Sequence, residues 1–134
     1  MTFSDFHKRT TKRLAAQRQI DAAVAHLHKS ELESAITLAI AAEGLLPDTD
    51  SRKIFAYLRE HPLGHQVDID KTVDWLKHSG SPDGATIFEF EAAVAIARAM
   101  SKFAAVYTDA PSEWYEFLSW GVVKGHWPTL PSMN

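Results

Sequence analysis

The chain has 134 residues, 46% of them hydrophobic and 23% charged, the balance of one ordinary globular domain that packing alone can hold together. It contains no cysteine, which excludes disulfides, thiolate metal sites, iron–sulfur clusters and cysteine nucleophiles. A formal charge of −3 speaks against general affinity for a phosphate backbone.

The first residues, up to Lys12, lack the apolar stretch of a secretory signal. No later run approaches the ~20 uninterrupted apolar residues of a membrane span. The expectation is a cytoplasmic protein with no membrane association. Lys8, Arg9, Lys12 and Arg13 form a basic cluster, but no aromatic residues interleave them, so the cluster reads as a solvated helix face rather than a nucleic-acid contact.

A first helix is predicted over about residues 4–29: Ser4 can cap it, no Gly or Pro interrupts it, and Ile20, Val24 and Leu27 recur at helical spacing. A second, over about 31–46, carries Leu32, Ile36, Ala39 and Ile40 on one face and stops at Gly44 and Pro47. Asp48 to Ser51 offer caps for a third, over about 52–60, with Ile54, Phe55 and Leu58 inward and Pro62 and Gly64 beyond its end. A fourth spans about 69–78, placing Ile69, Val73 and Leu76 on one face ahead of a turn rich in Ser, Gly, Pro and Asp.

Residues 87–107 are apolar nearly all round, as expected of a central helix with several neighbours. Their polar residues Glu91, Arg98 and Lys102 gather in one stripe that reads as solvent-facing in preference to a subunit contact. Pro111 suits the first turn of a last helix ending near Trp120, after which Gly121, Gly125, Pro128 and Pro131 break regularity. No segment shows strand alternation. The fold expected is all-α, an antiparallel bundle of five to six helices forming one domain over 1–127, with 128–134 a loose tail.

Seven histidines raise the question of a metal, and spacing answers against one. No Glu-x-x-His pair or His-Glu-x-x-His run occurs. His26 and His28 diverge by about 200° on a helix, and His61 and His65 straddle Pro62 and Gly64. Glycine-rich phosphate cradles and nucleophile elbows are also missing. No cofactor is expected.

One constellation is more suggestive. On a helix, Lys71, Asp74 and His78 fall within about 60° of one another, opposite Ile69, Val73 and Leu76. Cation, carboxylate and imidazole then share an outward face, where Asp74 can hydrogen-bond His78 one turn on and prepare it for acid–base work. The competing reading is a short surface helix with an ion pair and a histidine that suits its negative C-terminal end.

Three strings, taken in order, resemble small bacterial HEPN-like helical proteins. They are Ser34-Ala35-Ile36-Thr37-Leu38-Ala39-Ile40-Ala41-Ala42-Glu43, then Asp74-Trp75-Leu76-Lys77-His78, then Phe88-Glu89-Phe90-Glu91-Ala92 opening a long helix. The likeness spans roughly residues 10–120. It implies a helical bundle that pairs into a homodimer and, in catalytic members, a metal-independent ribonuclease with an Arg–polar–His signature. Asp74 and His78 match the polar residue and the histidine, while Val73 stands where arginine belongs.

Valine cannot stabilise charge on a phosphate, and Lys71 lacks the bidentate geometry of arginine. The expectation is therefore a non-catalytic HEPN-like module that homodimerises and binds a protein or RNA partner. Its rival is a toxin- or defence-type ribonuclease using His78 with Asp74 and either a lysine, Lys71, or an arginine from a partner subunit. Trp114, Tyr115, Phe117, Trp120 and Trp127 crowd the C-terminal part, more aromatic surface than one short helix buries on one side, so some of it is expected to meet a second subunit; the competing reading is that the rings cap the core of the chain itself.

Overall fold

The computed structural model describes residues 6–47 and 69–127. Among them are five α-helices and no strand: α1 Lys12–His28, α2 Leu32–Gly44, α3 Ile69–Lys77, α4 Glu89–Tyr107 and α5 Trp114–Val123. The chain is all-helical over this extent. The helix expected over 52–60, its flanking His61 and His65, and the tail over 128–134 lie outside the described residues.

α1 begins at Lys12, well after the start read from the sequence. Thr11 is extended and its hydroxyl accepts the Leu14 N–H at 3.1 Å, satisfying one of the donors that a helix N-terminus leaves unpaired. Residues 6–10 are exposed, so no burial offsets the entropy of ordering them as helix. At the other end, Ser30 adopts φ 60°, the Ser30 N–H reaches the Leu27 carbonyl at 2.9 Å and the Glu31 N–H reaches that of His26 at 2.9 Å. This pair of bonds is a Schellman cap. The imidazole of His26 and the carboxylate of Glu31 close over it at 3.0 Å.

The cap turns the chain straight into α2, which packs along α1 and on α4. The core between these three helices is built largely from alanine, with Ala16, Ala23, Ala35, Ala39, Ala93 and Ala97 all at 0% exposure. Ile20, Ile36, Ile96 and Met100 fill the remaining space and are also fully buried. Small side chains let helix axes approach toward the short end of the ~8–10 Å range.

α4 is buried on several sides, as its composition predicts, but its polar stripe does not face water. Glu91 is 3% exposed; it accepts the Phe88 N–H at 2.8 Å at its own helix start and the hydroxyl of Thr72 from α3. Arg98 pairs with Glu43 at 3.0 Å, and the Lys102 ammonium donates to the Glu43 carbonyl at 3.1 Å. The two cations sit at the negative C-terminal end of α2. Helical spacing gathered the stripe as expected; the neighbours on that side decided its use.

α5 starts later and runs further than expected. The Trp114 N–H bonds the Pro111 carbonyl at 3.0 Å in a turn that precedes the helix, and the helix continues through Gly121 to Val123. A Cβ at Gly121 would lie 2.0 Å from Cζ2 of Trp127, so this glycine serves close approach of an indole rather than termination. The helix stops at a second Schellman cap: Gly125 has φ 79°, and the N–H groups of Gly125 and His126 reach the carbonyls of Val122 and Gly121 at 3.1 and 2.8 Å. Trp127 folds back beneath α5 and donates from Nε1 to the Leu118 carbonyl at 2.9 Å. No described helix is long and apolar enough to cross a membrane.

Candidate functional site

α3 is short and strongly amphipathic, and none of its residues is fully buried. Ile69, Val73 and Leu76 lean on the core. Thr72, through Glu91, and Trp75, whose Nε1 donates to the Pro82 carbonyl at 2.6 Å, tie the helix down. Lys71, Asp74 and His78 lie on the exposed side, as the helical spacing requires.

The structure brings the three to one face. The His78 backbone N–H caps the helix on the Asp74 carbonyl at 3.1 Å, but no side-chain hydrogen bond joins the two residues. His78 stands one residue beyond the last helical position. Val73 is half-buried against the core.

Two grooves among the described residues are lined by other side chains. One of about 300 Å³ is lined by His26, Glu33, Ser34, Thr37, Leu38 and Leu76. Another, of about 190 Å³, is lined by Val24, Ala25, His28 and Phe117 together with the carboxylates of Asp21, Glu113 and Glu116. Burial, and after it the carboxylates of Asp21 and Glu116, push the Glu113 carboxyl above the usual range. Among the described residues, no group of three or more His, Cys, Asp or Glu side chains is arranged to hold a metal ion.

The basic cluster is divided. Arg13 spans the end of α4, with its guanidinium 4.9 Å from the Tyr107 ring centroid and 3.1 Å from the Asp109 carboxylate. Lys8, Arg9 and Lys12 remain exposed.

A polar constellation that spacing did not reveal lies at His126. Its Nε2 is 2.7 Å from Glu89 Oε1, and Lys124 Nζ stands 3.6 Å from the same oxygen. The imidazole is 11% exposed and lies among the rings of Phe90, Trp120 and Trp127. Glu89 is in the first turn of α4, where a carboxylate is favoured by the helix dipole. The contact therefore latches the end of α5 to the start of α4. Gly125 was a usable signal, since glycine after a helix places the following side chain back over the last turn.

The aromatic segment splits in the same way. Trp114, Phe117 and Trp127 are at most 2% exposed, whereas Tyr115 is 71% exposed and Val123 is 86% exposed. Trp120 is half-buried, edge-on to His28 with centroids 5.7 Å apart.

No protein-family model matches the chain, and neither a curated protein nor a solved structure matches it. Any functional assignment rests on the residues and geometry described above.

Proposed function

We propose that the chain is a non-catalytic, HEPN-like module, an antiparallel bundle of five to six helices that pairs with a second copy and docks on a protein partner. The observation that carries this reading is the outer face of α5, where Tyr115 and Val123 stand 71% and 86% exposed beside a well-buried aromatic core. A large aromatic and a branched aliphatic on one exposed helix face suit a contact surface.

A protein partner fits better than RNA. The chain carries a net charge of −3, and Arg13 of its basic cluster is engaged with Asp109 and Tyr107. Against catalysis stands the outward face of α3: Asp74 and His78 share no side-chain hydrogen bond, and Val73 occupies the arginine position. Losing such a charge-stabilising donor typically costs ~10²–10³ in rate. The lack of cysteine is in keeping with a reducing bacterial cytoplasm.

Light scattering during size-exclusion chromatography, with a metal-free incubation on mixed RNA, tests the reading. The expected result is a dimer that leaves RNA intact. RNA cleavage that disappears in His78→Ala would overturn it in favour of a ribonuclease using His78 with Asp74 and Lys71. A strict monomer would remove the pairing.

A further inference from the structure

Asp21 of α1, with Glu113 and Glu116 at the start of α5, brings three carboxylates to one groove of about 190 Å³. Its apolar lining includes Val24 and Phe117, 8% and 1% exposed. Among the described residues, the ion pairs of arginine and lysine go to Asp109, Glu43 and Glu89, and none reaches these three carboxylates. Asp21 is restrained by Gln17, whose Nε2 donates to its Oδ1 at 2.7 Å.

The positive N-terminal end of α5 accounts for part of this grouping, since it favours nearby carboxylates. It does not account for the conformation of Glu113. That residue stands at the N-cap position, yet its side chain makes no capping hydrogen bond. Its Oε2 is buried and accepts no hydrogen bond, a costly state for a carboxylate oxygen. Burial, followed by Asp21 and Glu116, holds the Glu113 carboxyl above its usual range. The groove thus lacks a donor and a positive charge at the same point.

We infer that this groove receives an arginine side chain of the protein partner, with the alkyl stem against Val24 and Phe117 and the guanidinium among the three carboxylates. The inference deepens the reading that the chain docks on a protein, and rests on it. A guanidinium carries five N–H donors in a planar fork, so it reaches Glu113 Oε2 and a second carboxylate together, and it is less strongly hydrated than the ammonium of lysine. The groove is smaller than the ~300–1,000 Å³ of sites that enclose a small-molecule ligand, and suits a single side chain. A net charge of −3 favours a basic partner in the same sense.

Titration of the ¹⁵N-labelled full chain with N-acetyl-arginine amide tests this by amide shifts. Shifts centred on Asp21, His28 and Glu113 are expected, at a Kd that is roughly millimolar for one side chain. N-acetyl-lysine amide should bind several-fold more weakly, and N-acetyl-citrulline amide, which keeps the shape of arginine without its charge, should not bind. Glu113→Gln should raise the Kd about tenfold or more. Glu33→Gln, which removes the same charge from an exposed position on α2, should leave it unchanged. Equal weakening by the two variants, citrulline binding as well as arginine, or no groove shifts at all would overturn the site. Lysine binding as tightly as arginine would overturn the guanidinium. Butylguanidinium binding far more tightly than the capped arginine would mark a small-molecule site and overturn the protein source. RNA cleavage lost in His78→Ala, alongside intact groove shifts, would instead sink the docking reading and leave the preference for guanidinium standing.

Discussion

Where α1, α2 and α4 meet, contact is made by the smallest side chains, such as Ala23, Ala39 and Ala97 at 0% exposure. Where α5 joins the body, it is made by the largest: Trp114, Phe117 and Trp127, all at most 2% exposed. In the alanine-lined region, stability comes from bringing backbones together, so enlarging any contact residue forces helices apart. In the aromatic region a few rings each cover a wide area, so removing one opens a cavity. The two regions therefore fail in opposite directions, and Gly121 is the one described position where the aromatic region takes on the rule of the other.

The largest effect is expected at Trp127→Ala, which removes an indole 2% exposed and strips the Leu118 carbonyl of its donor. A loss of about 3–5 kcal/mol is expected, read as a lower urea midpoint. A loss under about 1 kcal/mol would mean that the rings do not carry α5.

Gly121→Ala should follow, at about 1–3 kcal/mol, because its Cβ collides with the Trp127 ring. In a Trp127→Ala background the same change should become neutral or favourable, since alanine is worth about 1 kcal/mol over glycine within a helix. Thermal melts of the two singles and the double separate a clash from a backbone effect; simple additivity would refute the clash.

Ala39→Leu probes the alanine-lined region from the opposite direction. Overpacking of about 1–3 kcal/mol is expected, while a larger side chain accepted without loss would show that the three helices are not in close contact.

The smallest effect lies at the border of the two regions. Glu113 faces Asp21 of α1 and Glu116 of its own helix, and its carboxyl titrates above the ordinary 4.5. A raised carboxyl disfavours the folded state when charged, so the penalty is full at neutral pH and fades as pH falls through the raised value toward 4.5. Glu113→Gln should stabilise by less than about 0.5 kcal/mol at pH 7, after allowance for solvent screening, with the gain vanishing below the ordinary value. A gain that persists in acid would point to packing rather than charge.

The candidate site was legible in part. Periodicity placed Lys71, Asp74 and His78 on the outward side of α3 because one face of that helix is plainly apolar. It could not show that the helix ends at Lys77, one residue before His78. The His126–Glu89 contact joins residues 37 positions apart, beyond the reach of any local spacing rule. Glu91 likewise reads as polar and outward until Thr72 arrives beside it.

Local pattern determined the all-helical class, the near-complete course of α2, α3 and α4, and the apolar character of α4 all round, because hydrophobic period, turn residues and caps act over a few neighbours along the chain. Tertiary structure alone decided which polar residues are buried, why Gly121 continues a helix instead of ending it, and which aromatics remain exposed on α5. Those outcomes depend on what a distant segment brings to the same place, and burial is a property of the assembled surface rather than of any residue within it.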